Sequence, residues 1–388
     1  MIPRGSRTAK RFNTRLKGTR LMHHSCRTLP SICALLVLVL PLQAADQPGV
    51  VSRTFIYDEA PFPQCHASTI AETPQGLVAA WFGGTHEKHP DVGIWVARHA
   101  AGHWTTPVEV ANGIQYSTPA GDVYRHPTWN PVLFQYPDGP LVLFWKCGPS
   151  PSTWWGMMAE SSDHGETWHA VRRLPEHIDG PVRNKPLLLE DGTLLSGSST
   201  EFDGWRVHFE MSSDRGHTWQ RTPAIHDGKE FGAIQPTILQ PGEGKLLALC
   251  RNQDGNGQIL ETTSEDGGKT WTAPAPGMLP NPNSGIDGVT LASGTHLLVY
   301  NHTHRGKGNP RGRAMINLAV SDDGVHWQAA LTLDREERSE FSYPAIIQTS
   351  DGLVHITYTW KRTRVRHTVV DPAKLQPQPF TSAEWPLP

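Results

Sequence analysis

Cysteine is scarce in this 388-residue chain, five in all, and Cys26 and Cys33 fall in an N-terminal segment that reads as a removable leader. The remaining three, Cys65, Cys147 and Cys250, lack metal-ligand or redox spacing and sit in or beside apolar runs, so buried free thiols are expected. Net charge is also small, with 35 Lys+Arg against 37 Asp+Glu. Residues 1–44 hold eight basic residues and no acid, which leaves 27 basic and 37 acidic residues, net −10, beyond them. Nucleic acid is thereby excluded as the main partner, because phosphate binding needs a basic surface to release counterions. Long apolar runs are almost missing. The one that exists, residues 30–43 (PSICALLVLVLPLQ), follows the basic segment and precedes Ala44-Ala45-Asp46. It is too short to span a bilayer comfortably and has the pattern of a signal peptide over residues 1–44, with Met22 as an alternative start. The mature chain, residues 45–388, is expected to be a soluble monomer in a periplasm or outside the cell, with no membrane span. No glycine loop leads from a strand into a helix to cradle phosphate, and the 20 histidines are scattered, so neither a cofactor nor a metal is implied.

Glycine, proline and tryptophan are abundant instead: 36, 33 and 14 residues. That composition breaks helices and favours short strands joined by turns. One turn recurs, as Ser162-Asp163-His164-Gly165-Glu166-Thr167-Trp168, Ser213-Asp214-Arg215-Gly216-His217-Thr218-Trp219 and Glu265-Asp266-Gly267-Gly268-Lys269-Thr270-Trp271, with a shorter copy at Ser321-Asp322-Asp323-Gly324-Val325-His326-Trp327. With a degenerate copy at Trp104, the tryptophans step by 64, 51, 52 and 56 residues, the length of a propeller blade. In this box the aspartate serves the turn's own amides, glycine supplies positive φ and tryptophan plugs the gap between sheets. The boxes identify architecture, not activity.

A second repeat precedes each box: a polar residue, an apolar run, a glycine turn, another apolar run. Its six copies start at His66, Asn130, Lys185, Gln235, Asp287 and Tyr343. They predict an all-β fold, a six-bladed β-propeller of four-stranded antiparallel blades, with the strand over residues 50–57 completing the last blade and closing the ring. Innermost strands of a propeller begin at one face, so the six polar starts converge on a pocket. Returning strands add Trp81 to Thr85, Lys146, Glu201, Arg251, Asn301-His302 and Lys361-Arg362, and the loops add Arg125, His126 and Arg183. This mouth is basic although the chain is acidic, which points to a small anionic ligand.

The boxes, blades and strand starts resemble the sialidase (neuraminidase) superfamily over nearly all of residues 50–388. The resemblance implies a carboxylate held by three arginines, a tyrosine nucleophile activated by a glutamate, and an aspartate acid on a mobile loop. Tyr343, in Phe341-Ser342-Tyr343-Pro344, matches the nucleophile; Arg251 matches one arginine, and Arg311 or Arg313 another. Two positions depart from the pattern. His66-Ala67-Ser68 stands where the family has Arg-Ile-Pro, and Gln235 stands at the activating glutamate. The acid loop is recognisable in residues 83–91, where Glu87 or Asp91 is the candidate acid.

The leading expectation is an exo-acting glycoside hydrolase on an acidic glycan of sialic or uronic type, with Tyr343 as nucleophile or base and Glu87 or Asp91 as acid. Arg251, Lys185 and Arg183 would clamp the carboxylate, with Arg125 and Lys361 adding charge at the mouth, while His66 and Asn130 place hydroxyls, Gln235 contacts substrate and Asp287 offers the base role that Gln235 cannot fill. Two alternatives use the same ring. A polysaccharide lyase would use Tyr343 or His66 to take the proton beside a uronate carboxylate neutralised by Asn130, Gln235 or Arg251. A non-catalytic glycan-binding propeller would stack sugars on Trp81, Trp129, Trp154 and Trp155.

Overall fold

The computed structural model describes residues 47–380 and 384–386, so the leader at residues 1–44 lies outside the described residues. Six antiparallel blades follow one another along the chain, five of four strands and the first with a fifth, since Gly93–Ala100 pairs with both His103–Trp104 and Val108–Ala111; the 3-10 turn Pro372–Lys374 is the single helical element among the described residues. Each blade starts with an innermost strand: Gln64–Thr73, Thr128–Gln135, Leu187–Leu188, Ala233–Gly242, Asp287–Thr290 and Phe341–Gln348. The sixth blade takes its outermost strand from the other end of the chain. Val50–Phe55 pairs with Arg364–Val370, as expected from the missing sixth box, and this exchange closes the ring. No helix among the described residues is long and apolar enough to cross a membrane.

The inner strands are buried on both faces. Leu141–Cys147 is buried throughout, with Leu143 and Trp145 packed among Leu133, Ala80 and Phe82 of neighbouring strands, so the core lies between blades rather than at one centre. Cys65, Cys147 and Cys250 are buried free thiols.

The four boxes are built as their residue types require. Asp214 accepts from the Thr218 amide at 2.8 Å, the Thr218 hydroxyl at 2.6 Å and the Ser212 hydroxyl at 2.9 Å, while Trp219 Nε1 donates to the Gly216 carbonyl at 3.0 Å. The same hydroxyl and amide bonds hold Asp214 and Asp266 down at about 2, and Asp163 and Asp323 are held down likewise. A carboxyl depressed in the fold stabilises it above the ordinary aspartate value and ceases to do so as pH falls through the folded value. Thermal stability should therefore decline between about pH 4 and pH 2. Asp214→Asn should make that decline shallower in a calorimetric pH series, and an unchanged slope would remove the boxes from the account.

Candidate active site

Backbone geometry, more than residue type, aims the side chains at the axis. Ala67, Asn130, Gln235 and Tyr343 have φ of 57°, 39°, 56° and 52°, values that non-glycine residues rarely adopt. Each sits where an innermost strand slips register against its partner, between His66 and Thr69, beside Trp129 and Val132, between Ile234 and Thr237, and between Ser342 and Ala345. These are β-bulges, and such strain costs roughly 1–3 kcal/mol per residue, which four blades sustain at the same place. Proline follows three of the four (Pro131, Pro236, Pro344), where it leaves no unpaired N–H in the broken ladder. The bulges correct one detail of the expected ring: Ala67, rather than His66, is the counterpart of Asn130, Gln235 and Tyr343, and His66 stands one residue earlier.

Tyr343 is the centre. Its hydroxyl oxygen accepts from Arg251 Nη1 at 2.6 Å, and the guanidinium carbons of Arg313, Arg183 and Arg251 lie 5.2, 5.3 and 5.6 Å from its ring centroid. Burial alone would push this phenol up, but the charges of Arg251, Arg313 and Arg362 outweigh it, against an opposing push from Glu87, and hold it below the ordinary tyrosine value. Arg251 is itself fixed by Asn283 Oδ1 at 2.8 Å and Gln235 Oε1 at 3.3 Å, with its guanidinium 5.0 Å from the Trp205 ring centroid. Gln235 thus orients the arginine that touches the phenol.

The His66 ring lies 4.0 Å from the Tyr343 ring, centroid to centroid. Its Nδ1 is 2.9 Å from the Thr359 hydroxyl, which already accepts from the Ala67 amide at 3.1 Å and so has a proton to give. Burial first, and then the charges of Arg362, Arg313, Arg183 and Arg251, keep this imidazole far below its ordinary value and uncharged.

Sequence reasoning does not single out Glu340, yet it organises the cationic side of the pocket. Its Oε1 accepts from Arg313 Nη1 at 3.0 Å, from Arg362 Nε at 2.6 Å and from the Ser342 hydroxyl at 3.1 Å. Arg362 enters through a tight hairpin turn in which Lys361 and Arg362 have φ of 53° and 61°, and its Nη1 reaches Glu87 Oε2 at 2.6 Å. Glu201, at the end of the returning strand of the third blade, is a half-buried carboxylate with no hydrogen bond or ion pair to the described residues. Burial raises it above the ordinary glutamate value, with Arg251 opposing and Glu87 adding.

Residues 75–356 match the family model described as a BNR repeat-like domain. This chain belongs to the BNR repeat-like family. The BNR-repeat protein is 24% identical over 242 residues to a sialidase of Bacteroides fragilis, a match covering 57% of this chain and 41% of that one. It is 28% identical over 200 residues to the anhydrosialidase of Macrobdella decora, covering 44% and 24%. The chain thus matches less than half the length of either curated relative. Among solved structures, the intramolecular trans-sialidase from Ruminococcus gnavus superposes with a TM-score of 0.66 at 14% identity, over 85% of this chain and 99% of that one, a likeness of fold.

Other expected site residues of this BNR-repeat protein have different duties. Lys185 Nζ lies 3.1 and 3.0 Å from the two carboxylate oxygens of Asp287, which also accepts from the Thr237 hydroxyl at 2.9 Å and the Ile346 amide at 3.0 Å. Asp287 is buried, and these contacts tie the third, fourth, fifth and sixth blades together around it. Arg183 is buried beside Tyr343, donates to the Pro344 carbonyl, and leaves Nε and Nη1 without a partner. Asn130 is buried, and its amide makes no hydrogen bond to the described residues. Asp91 caps its own loop. Burial would raise its carboxyl, but bonds from the Thr85 hydroxyl (2.5 Å) and amide (3.0 Å), with His89 nearby, hold it below the ordinary range. Arg125 donates to the Asp91 carbonyl at 2.9 Å, and Lys361 pairs with Glu336 at 2.5 Å, leaving Arg362 as the turn residue of the pocket. Trp81 and Trp129 are fully buried, so they offer no face for stacking a sugar. Among the described residues, Asp179, His208 and Glu210 come within ligand distance of one another, but Glu210 already accepts from the Asp179 and Gly180 amides and contacts the His208 ring.

Proposed function

We propose that this protein is an exo-acting glycoside hydrolase for glycans ending in an anionic sugar, working outside the cytoplasm as a monomer. The observation that carries the reading is Tyr343, a buried phenol whose oxygen accepts a 2.6 Å hydrogen bond from Arg251 inside a group of arginines. The sialidase relatives support the sugar class. Arg251, Arg313 and Arg362 hold the sugar's carboxylate, the fork of each guanidinium matching two oxygens. Tyr343 oxygen attacks the anomeric carbon as its bond to the leaving oxygen breaks, and the leaving oxygen takes a proton from a carboxyl group. Glu87 fills that role better than Asp91. Arrival of the substrate carboxylate competes for Arg362 and frees the Glu87 carboxyl group to face the leaving oxygen. Water then attacks the anomeric carbon, giving its proton to Glu87 as the bond to the Tyr343 oxygen breaks; the phenolate is restored and the sugar leaves with the new hydroxyl. With Gln235 in the base position, the arginines do what a carboxylate base otherwise does: they favour the phenolate directly.

One observation favours elimination as a second reading. A neutral His66 ring lies 4.0 Å from the Tyr343 ring, tilted by 46°, and a neutral imidazole or the phenol can take the proton next to a uronate carboxylate. Product analysis separates the two. Incubation with sialylated and uronate-terminated oligosaccharides should release a saturated acidic sugar and a new hydroxyl end; an unsaturated product absorbing in the ultraviolet would replace hydrolysis by elimination, and absence of any product would remove both.

A further inference from the structure

Outside the six blades a two-stranded hairpin, Ile114–Ser117 with Val123–Arg125, stands out from the surface. Tyr116 and Tyr124 stack across it with centroids 5.1 Å apart and planes at 23°, yet they remain 57% and 48% exposed. Large aromatic rings normally recover solvent-exposed area by packing, and single exposed ones need no explanation; a flat exposed pair does. The row continues inward. Tyr124 meets the His126 ring at 5.1 Å, and His126 meets Trp155 at 5.7 Å. Trp155, Trp154 and Phe202, the last 68% exposed, then line an open cleft of about 210 Å³ with Arg173 and Ser152 on its walls.

Hydrogen bonds from neighbours of the row reach backbone segments next to the proposed site. Arg125, on the hairpin, donates to the carbonyl of Asp91 in the loop that carries Glu87, and the Ser152 hydroxyl donates to the Glu201 carbonyl at 3.4 Å. A narrow file of rings alternating with hydrogen-bonding groups suits a sugar chain, whose rings present C–H faces flanked by hydroxyls, better than a broad protein surface. We infer that Tyr116, Tyr124, Trp155 and Phe202 form a binding track for the neutral pyranose rings on the leaving side of the glycan, a role that rests on the hydrolase reading above.

The test compares a monosaccharide glycoside with a small aromatic leaving group against an acidic oligosaccharide of five or more sugars, about the reach of the row. Tyr116→Ala, Tyr124→Ala and Phe202→Ala should each raise KM for the oligosaccharide roughly three- to tenfold and leave the small glycoside unchanged. Equal effects on both substrates, or none on either, would overturn the track. Quenching of tryptophan fluorescence by the neutral oligosaccharide alone supplies a readout that needs no turnover. Quenching that weakens in the variants while wild type turns over nothing keeps the track and removes the hydrolase; turnover without quenching removes the track. Concentration-dependent self-association abolished by Tyr124→Ala, with no oligosaccharide effect, would assign the patch to a second copy of the chain and overturn the proposal.

Discussion

Replacing Tyr343 with phenylalanine should lower kcat on an acidic-sugar glycoside by on the order of a thousandfold or more, with KM changed only a few-fold. The ring that packs against His66 and the surrounding guanidinium groups is retained, and Arg251 keeps Asn283 and Gln235 as partners, so the sugar's carboxylate still finds its holders. What is lost is the atom that attacks. The same variant serves as the blank for a spectroscopic titration. Wild type minus Tyr343→Phe should show a phenolate forming below the ordinary tyrosine value, because Arg251, Arg313 and Arg362 outweigh the burial that opposes it. Activity should climb with pH through that ionisation. A phenylalanine variant with near-normal kcat would leave Tyr343 as a core residue with a polar end.

Asp287→Asn should destabilise the fold by about 3 kcal/mol, the lower end for breaking a buried pair because the Lys185 side chain is 22% exposed and partly hydrated. Asparagine keeps the shape and accepts from Thr237 but leaves the Lys185 charge uncompensated near the axis. Lys185→Met added to Asp287→Asn should recover part of the loss, since two uncharged groups of similar volume have no desolvation to offset. Urea denaturation reads both effects. Lost activity at unchanged stability would return Asp287 to the base role that the ring of polar strand starts suggests.

Asp287 also shows how far residue type alone carries a reading of the site. Blade number, closure of the ring by the first strand, and the box turns were legible because each rests on local chemistry repeated at a fixed spacing. Tyr343 and Arg251 lie at repeat positions and were expected at one mouth, but the 2.6 Å bond between them is not written in the spacing. The rest depends on contacts between distant blades. Lys185 and Asp287 are 102 residues apart and neutralise each other, which no spacing rule reveals. Glu340 lies outside the repeat and gains importance only where Arg313 and Arg362 arrive together. Lys361 and Arg362 are adjacent and alike in sequence; the turn sends one to Glu336 and the other to Glu340 and Glu87. Counting strand starts placed His66 one residue from the true bulge, because a bulge changes register without changing the residue types around it.

The most direct measurement traps the intermediate. A fluorinated acidic-sugar fluoride, whose second step is slow, should leave one sugar mass on the intact protein, and peptide mapping should place it on Tyr343, with no adduct in Tyr343→Phe. Turnover of natural glycans with no adduct on Tyr343, an adduct on another side chain, or an unsaturated product from the same glycans would contradict the nucleophile that the arginine-lined phenol defines.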